Sequence, residues 1–275
     1  LREEPNVLFY GGRGSSKSTT ARWDAHIRAL SYPGFSYVIL RRTFPELQHS
    51  HINHIDYEMS MLGGYFHHTN KVAHYTNGSR GTFAHCADDK DVLKLLSAEF
   101  ALAIFDELTT FDWEMFLKLA ASVRVPVGAA YKAMVRGLTN PLGISAAEVM
   151  QYFVAKDVDV EQNPDYNPND WFSIKANLSD NPYLDKDEYL KRFTGLSYNV
   201  KQAWVEGEFV DDAALFDFKP KIEGQPYHVI SELPTIGDKS VLSYDWNEQH
   251  WLQNPAVQVY RAVDFGYFPD PTICL

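Results

Sequence analysis

The segment that most constrains the fold is residues 11–18, which read Gly-Gly-Arg-Gly-Ser-Ser-Lys-Ser. An apolar run of strand length precedes it at residues 7–10, and residues 19–30 after it have helical character. In the order strand, glycine loop, helix, backbone N–H groups and the positive end of the helix can surround a phosphate without side-chain bulk. The pattern therefore predicts a phosphate-binding loop, and the competing interpretation is a glycine-rich turn with a solvated lysine.

Two side chains of this loop have a predicted chemical role. Lys17 is expected to reach the β- and γ-phosphates of a nucleotide, and the Ser18 hydroxyl is expected to bind Mg²⁺. The match to G-x-x-x-x-G-K-[ST] fails at one position, because Ser16 replaces the second glycine. Taken alone, the loop is therefore a weak indication of nucleotide binding.

Composition narrows the class of protein. A chain of 275 residues with 45% hydrophobic residues can bury a sizeable core, so one large or two ordinary globular domains are expected. A formal net charge of -11 disfavours a protein that coats nucleic acid through bulk positive charge, although a local basic patch is compatible with it. Cys86 and Cys274 lie far apart, which disfavours a disulfide framework or a zinc site and fits a reducing cytoplasm.

The sequence shows no targeting or membrane segment. No apolar run approaches the roughly 18 residues of a membrane span, and residues 1–5 do not form a signal peptide. Because the chain starts on Leu1 and stops on a strand-like segment at 272–275, we expect it to be a fragment.

A second chemical segment is the apolar run at 101–105, which ends in Asp106 and Glu107. A buried parallel strand would deliver both carboxylates to the carboxyl edge of a sheet. There Asp106 is expected to hold Mg²⁺ through water, and Glu107 to orient and polarise the attacking water. The alternative is a strand that simply ends in a polar turn, and the preceding phosphate loop makes that alternative weaker.

Thr139 and Asn140 end a strand predicted over 131–138. Such a pair can hydrogen-bond the γ-phosphate or the attacking water, whereas Asn-Pro is also an ordinary turn. Two strand-sized segments, 37–40 and 81–85, separate the loop from the acidic strand along the sequence. In the sheet, one of these segments is expected to lie between the strand before the loop and the strand that ends in Asp106. That arrangement, with glutamate beside aspartate, indicates the P-loop branch that hydrolyses ATP for mechanical work.

The segment after the first helix carries basic residues and histidines. Arg41 and Arg42 follow the predicted strand 37–40 at the end that faces the ligand crevice of a parallel sheet, so they either approach phosphate or DNA or lie in a solvated loop. Residues 44–62 are expected to be mostly helical. Three histidines of this segment are predicted to lie at the surface rather than in a metal site: His49, His51 and His54.

Turn chemistry and apolar periodicity predict the remaining elements. A hairpin is expected from strands at 65–76 and 81–85 around the Asn77-Gly78 turn, with helices over 88–96 and 111–123.

Three of these segments, in this order, resemble the large terminase subunit of tailed bacteriophages, the motor that pumps DNA into the procapsid. They are Gly-Gly-Arg-Gly-Ser-Ser-Lys-Ser, Ile-Phe-Asp-Glu and Gly-Leu-Thr-Asn-Pro. Serine at position 16 is a common variant in that family. Residues 177–184 and 205–209 look like the end of terminase ATPase domains, and residues 260–267 resemble the first strand of the RNase H-like terminase nuclease.

The resemblance implies a role for each matching position. Glu107, Lys17 and Arg13 are expected to be catalytic, with Arg13 touching the γ-phosphate. Ser18 and Asp106 would hold Mg²⁺, and Thr139 with Asn140 would couple hydrolysis to movement. The nucleotide-binding set is Gly11, Gly12, Arg13, Gly14, Ser15, Ser16, Lys17, Ser18 and Thr19.

Two further expectations come with the family. A trans-acting arginine belongs on the neighbouring subunit of the ring, and the candidates here are Lys94 and Arg124, between which the sequence does not decide. Asp264 would be the first carboxylate that binds a divalent metal in the nuclease. The chain stops eleven residues later, so nuclease activity is expected only in a longer protein.

The implied fold is α/β, a P-loop NTPase of the ASCE type with a mostly parallel central sheet flanked by helices. The expected domains are an ATPase core at 1–151, a lid or linker subdomain at 152–210, a connector at 211–255, and the first strand of a truncated RNase H-like nuclease domain at 256–275.

The implied function is ATP hydrolysis that drives double-stranded DNA translocation, with ATP and Mg²⁺ as cofactors. The implied partners are portal protein on a procapsid, the small terminase subunit and further copies in a ring, with a free subunit that is often monomeric. The site of action would be the cytoplasm of an infected bacterium. The alternatives are a helicase-like or DNA-repair P-loop ATPase, and a nucleotide-gated binding module that hydrolyses nothing.

Overall fold

The computed structural model describes residues 3–181 and 183–210, together with six short strands beyond them. The chain divides into two compact units, Leu1–Leu215 and Phe216–Leu275. In the second unit, three short antiparallel pairs are described: Thr235–Ile236 with Lys239–Ser240, Leu242–Asp245 with His250–Gln253, and Ala262–Val263 with Ile273–Cys274. Asp264, the predicted nuclease carboxylate, lies outside the described residues.

The first unit contains eight strands and eight α-helices, which alternate along much of the described chain. Its strands are β1 (Asn6–Gly11), β2 (Ser36–Arg41), β3 (Tyr65–His67), β4 (Val72–His74), β5 (Arg80–His85), β6 (Leu102–Asp106), β7 (Met134–Thr139) and β8 (Trp171–Ala176). Its α-helices are α1 (Lys17–Ser31), α2 (Phe44–Leu47), α3 (Asn53–Met61), α4 (Asp89–Leu96), α5 (Trp113–Ala121), α6 (Ala146–Val149), α7 (Lys186–Lys191) and α8 (Tyr198–Lys201). Turns of π-helix continue three of the α-helices, at Gln48–Ile52, Met150–Ala155 and Gln202–Glu206.

All eight strands form one sheet in the order β3-β4-β5-β2-β6-β7-β1-β8. The six strands from β5 to β8 in that order run parallel, and β3 and β4 pair antiparallel at one edge. Every residue of β6 and β7 is buried, and β6 is apolar up to its final Asp106, as is typical of a parallel strand covered on both faces. Because the parallel strands all end at one edge, the loop after β1 and the carboxylates after β6 meet there.

The strand between β1, which precedes the phosphate loop, and β6, which ends in Asp106, is β7. The prediction that 37–40 or 81–85 fills this place is therefore wrong. Residues 37–40 lie in β2 on the far side of β6, and residues 81–85 lie in β5 beyond β2. After β6 the chain passes through α5 and returns as β7, a crossover that places a parallel strand beside the one just completed. The strand between the motif strands therefore comes after both motifs in the sequence.

Helices cover both faces of the sheet, and β2 shows how its residues alternate between them. Tyr37 and Ile39 pack with the α1 alanines Ala21, Ala25 and Ala29. Val38 and Leu40 belong to the opposite cluster, which includes Phe105 and Phe116. Burial of both faces holds the strand ends at the carboxyl edge in fixed positions.

The helix predicted over 44–62 is confirmed, with a π-helical turn at Gln48–Ile52. The Asn77-Gly78 turn is confirmed between β4 and β5, while β3 adds a second hairpin that the sequence pattern did not separate. From residues 152–210, predicted as a lid, β8 joins the main sheet beside β1. Among the residues that the structure describes, no helix is long and apolar enough to cross a membrane.

Candidate active site

A cavity of about 390 Å³ lies at the carboxyl edge, where the strand order brings the ends of β1, β6 and β7 together. It contains most of the residues predicted to bind and hydrolyse a nucleotide. Its lining consists of Arg13, Gly14, Ser15, Ser16, Lys17, Ser18, Thr19, Arg41, Asp106, Glu107, Asn140 and Tyr189.

The loop after β1 is glycine-rich because other backbone segments press against it. Gly11 has φ +144°, and a Cβ there would lie 2.0 Å from the carbonyl oxygen of Ala176. A Cβ on Gly12 would lie 2.6 Å from the carbonyl oxygen of Val205. Ser16, which replaces the second glycine of the motif, has φ 61°, a left-handed conformation that costs a non-glycine residue about 1–2 kcal/mol. The backbone thus keeps the shape of a glycine loop despite the serine.

Lys17 begins α1, and its ammonium group lies inside the loop. Nζ donates hydrogen bonds to the carbonyl oxygens of Gly11 (3.1 Å) and Gly12 (2.8 Å), to Ser15 Oγ (3.1 Å) and to Asn140 Oδ1 (3.0 Å). Burial lowers the pKa of Lys17 to about 8, although the charges of Glu107 and Asp106 oppose this shift. The ammonium is therefore close to its titration point in mildly alkaline solution.

Asp106, the last residue of β6, is buried and accepts hydrogen bonds from three side chains. Ser18 Oγ donates to Oδ1 at 3.1 Å and to Oδ2 at 3.3 Å. Oδ2 also accepts hydrogen bonds from Arg41 Nε and from His51 Nε2, each at 2.9 Å. Burial by itself would raise the pKa of Asp106, but the hydrogen bond and charge of His51, with the charge of Arg41, lower it to about 2. The carboxylate is therefore ionised and held in one orientation.

His51 contradicts the prediction that the histidines of residues 44–62 lie at the surface, because its side chain is fully buried. The π-helical turn at Gln48–Ile52 carries it to Asp106. An ionised carboxylate only accepts hydrogen bonds, so His51 Nε2 carries a proton. The sequence did contain an indication, since His51 stands four residues from both Leu47 and Ile55 on the apolar stripe of this segment.

Glu107 has φ 60°, an uncommon conformation for a residue with a side chain, and this turns its carboxylate toward β7. Oε1 accepts a hydrogen bond from Asn140 Nδ2 at 2.8 Å, and Oε2 accepts one from the Asn140 backbone N–H at 3.2 Å. Burial and the neighbouring Asp106 raise the pKa of Glu107. One amide side chain, that of Asn140, therefore joins Glu107 to Lys17.

The two residues of the predicted coupling pair lie in different surroundings. Asn140 lines the cavity, whereas the fully buried Thr139 does not. The hydroxyl of Thr139 is 2.6 Å from the hydroxyl of Thr109, and it donates to the carbonyl oxygen of Asn140 at 2.7 Å. Thr139 therefore connects β7 to the turn that follows Glu107.

Arg13 lines the cavity, and its guanidinium stacks over the ring of Trp204 at 3.6 Å from the centroid. The Arg13 backbone N–H also donates to the Trp204 carbonyl oxygen at 2.7 Å. Asn181 Nδ2 donates to the carbonyl oxygen of Gly14, and Tyr189 lies beside it. Residues of the predicted lid thus contact the loop directly, and no local pattern in the sequence pointed to the Trp204 contact.

The candidates for a trans-acting cation lie away from this cavity. Arg124 pairs with Glu99 at 3.1 Å, and its backbone N–H donates to the carbonyl oxygen of Phe100. Phe100 comes just before the start of β6, so Arg124 lies at the edge of the sheet opposite the cavity. Lys94 pairs with Asp91 at 2.9 Å on exposed surface. In this chain both cations therefore face acidic neighbours outside the site.

The donor set fits Mg²⁺. Ser18 Oγ and Asp106 Oδ1 face each other at 3.1 Å in the cavity that also contains Lys17. Mg²⁺ at nucleotide sites prefers one or two protein oxygen ligands, with phosphates and waters completing the octahedron. The Ser18 hydroxyl at the start of α1 and the ionised carboxylate of Asp106 at the end of β6 match this preference.

A family model for the phage terminase large subunit matches residues 4–208. The chain belongs to this family. The match spans the phosphate loop, the carboxylates after β6 and the contacts from residues 178–206 to the loop. A search of curated proteins found no match.

Solved terminases share the fold of this terminase chain. The large terminase of a thermophilic bacteriophage matches with a TM-score of 0.60 and 13% identity over 76% of this chain and 49% of that one. The ADP complex of the same protein gives 0.58 and 14% identity, covering 75% of this chain and 48% of that one. The Thermus phage P74-26 large terminase ATPase domain gives 0.57 and 16% identity, covering 76% of this chain and 90% of that one. The chain spans about half the length of the thermophilic bacteriophage's large terminase.

Proposed function

We propose that this chain is the ATPase part of a viral DNA-packaging motor, which hydrolyses ATP to move double-stranded DNA into a procapsid. The observation that carries the proposal is the convergence of Lys17, Ser18, Asp106 and Glu107 in one cavity of a terminase-family chain. The large terminase of the thermophilic bacteriophage, which shares the fold, has been solved in complexes with ADP and with ATP-gamma-S.

The loop residues 11–19 would bind the phosphates through their backbone N–H groups and the Lys17 ammonium. Ser18 and Asp106 would hold Mg²⁺, and the ion would neutralise negative charge on the phosphates. Asp106 suits this task because its neighbours keep it ionised.

Glu107 is the proposed catalytic carboxylate, which orients the attacking water and polarises it. Asn140 holds both of its oxygens and at the same time contacts Lys17, which would bind the phosphates. A change at the phosphate can therefore reach Glu107 and β7 through one amide. Thr139 would pass it to the turn after Glu107 through its bond with Thr109. We propose the coupling role for this pair on these contacts.

Arg13 would stabilise charge on the γ-phosphate from within the loop. The stacking of Arg13 on Trp204 supports a mechanical link between the γ-phosphate and the segment 202–206, since Arg13 would contact both. We propose that residues 152–210 act as the lid that carries this movement, although β8 lies in the main sheet. A neighbour's Arg124 or Lys94 would complete the site in a ring.

The wider assignments follow from family membership. We propose portal protein, the small terminase subunit and further copies in a ring as partners, and the cytoplasm of an infected bacterium as the place of action. We also propose that Asp264 belongs to a metal-dependent nuclease and that residues 211–255 connect it to the ATPase.

The test compares ATP turnover with nucleotide binding. Wild type should hydrolyse ATP with Mg²⁺, and Glu107→Ala should bind ATP while losing turnover. Glu114→Ala is the matched control, because Glu114 is an exposed glutamate of α5 whose side chain pairs only with Lys118 among the described residues. Binding without turnover in wild type would favour a nucleotide-gated module, and strand separation during turnover would favour a helicase.

A further inference from the structure

We propose that Arg41 is a further catalytic residue of this site, whose guanidinium binds the terminal phosphate of ATP while its Nε stays on Asp106. The inference rests on the proposed ATPase function and adds a phosphate-binding cation from β2 to those of the loop. Arg41 lines the same cavity as Lys17, Ser18 and Glu107.

The strand order places Arg41 beside Asp106. Arg41 ends β2, Asp106 ends β6, and the two strands pair in parallel with Leu40 opposite Phe105. Arg41 Nε donates to Asp106 Oδ2 at 2.9 Å, and its side chain is 16% exposed. The guanidinium is therefore fixed at the acidic side of the cavity and is still open to it.

The hydrogen bond to Asp106 uses only part of the guanidinium. Five N–H donors belong to an arginine, and four of them are on the two terminal nitrogens. Neither terminal nitrogen of Arg41 has a hydrogen-bond partner among residues 3–181 and 183–210, since Nε makes the side chain's one hydrogen bond there. A planar fork of free donors that faces a phosphate cavity matches the geometry with which arginine recognises phosphate oxygens.

Asp106 does not depend on Arg41 alone for its orientation. His51 Nε2 donates to the same oxygen at 2.9 Å from a fully buried position, and Ser18 donates to the other oxygen at 3.1 Å. A role confined to holding Asp106 would duplicate that of His51. Contact with substrate explains why a second donor to this carboxylate is an arginine that reaches the cavity.

Arg13 and Arg41 approach the cavity from different sides. Arg13 belongs to the loop and stacks on Trp204, whereas Arg41 is held beside Asp106. Since Glu107 directs water at the terminal phosphate in the proposed reaction, the side that carries Asp106 and Glu107 is the side of that phosphate. Arg41 is thus a second arginine placed for the γ-phosphate, on the Asp106 side of the cavity, in addition to Arg13 in the loop.

The experiment measures the Kd of Mg²⁺-ATPγS and of Mg²⁺-ADP for the 275-residue chain. Arg41→Gln should weaken ATPγS binding by about 10-fold or more, the effect expected from losing a hydrogen bond to a charged group, while ADP binding changes less than about twofold. Arg41→Lys, which keeps the charge without the fork, should lose less. If Arg41→Gln does not fold, Arg41→Lys tests the inference in its place, and its affinity for ATPγS should then fall more than its affinity for ADP.

His51→Gln is the matched control, because glutamine still offers a donor to Asp106 and His51 does not line the cavity. It should change both affinities alike. Equal weakening of ATPγS and ADP in Arg41→Gln would reduce Arg41 to a positioning residue, and unchanged affinities would remove it from the site; either result overturns the inference. A wild-type chain that bound neither nucleotide would instead overturn the proposed function itself.

Discussion

Replacing Asn140 with alanine tests the connection between the phosphate loop and the catalytic carboxylate. The change removes the bond from Nδ2 to Glu107 Oε1 at 2.8 Å and the bond from Lys17 Nζ to Oδ1 at 3.0 Å. Glu107 keeps the backbone N–H of residue 140 at 3.2 Å, and Lys17 keeps three oxygen partners. The main loss is therefore the orientation of Glu107.

The magnitude follows from that lost bond. A hydrogen bond to a charged group contributes about 1.5–3 kcal/mol. Because the orientation of Glu107 matters only when water attacks, the loss should appear in kcat, which should fall about 10-fold to 150-fold. Asn140→Asp should fall further, since it places a second carboxylate against Glu107.

The assay is single-turnover hydrolysis of Mg²⁺-ATP, run beside ADP binding to separate chemistry from affinity. ADP affinity should change less than about threefold, because Lys17 retains most of its partners. Asn169→Ala is the control, because Asn169 is exposed and outside the cavity. An Asn140→Ala variant with wild-type kcat would refute the claim that this amide positions Glu107.

Two further predictions concern buried charge. Since burial lowers the pKa of Lys17 to about 8, and phosphate favours its charged form, ATP affinity should fall as pH rises above 8; Lys17→Arg should remove this dependence in a titration from pH 7 to 9. Glu58→Leu should lower the free energy of unfolding by about 3–5 kcal/mol in urea, because it leaves the buried Arg22, now 2.9 Å from Glu58, without its carboxylate. The exposed Glu188→Leu is the control, and an equal loss there would contradict this reasoning.

The local parts of the site could be predicted from the sequence. The loop at 11–18 is specified by its own glycines, and Asp106 with Glu107 by the apolar run that ends on them. The placement of Asn140 followed from the rule that parallel strands end at one edge. Each of these predictions needs only neighbouring residues and one property of a parallel sheet.

The remaining parts depend on contacts between distant segments. The strand between the motif strands is β7 because of pairings that no single segment encodes. His51 reaches Asp106 across 55 positions of sequence, and Arg41 reaches it across 65. The Trp204 ring contacts Arg13 from 191 positions away in the sequence. Residue patterns gave the wrong central strand and the wrong surroundings for His51, and they gave no indication of the Trp204 contact. Only for Arg41 did they offer alternatives between which the tertiary structure could select.

The most direct test of the packaging-motor account is ATP hydrolysis by a full-length protein with and without procapsids that carry portal and linear double-stranded DNA. Wild type should show turnover that rises when procapsid and DNA are both present, and Lys17→Ala and Glu107→Ala should abolish that turnover. Turnover that needs both residues but never responds to procapsid and DNA would contradict the motor. Absence of hydrolysis in every mixture, with nucleotide still bound, would contradict the ATPase.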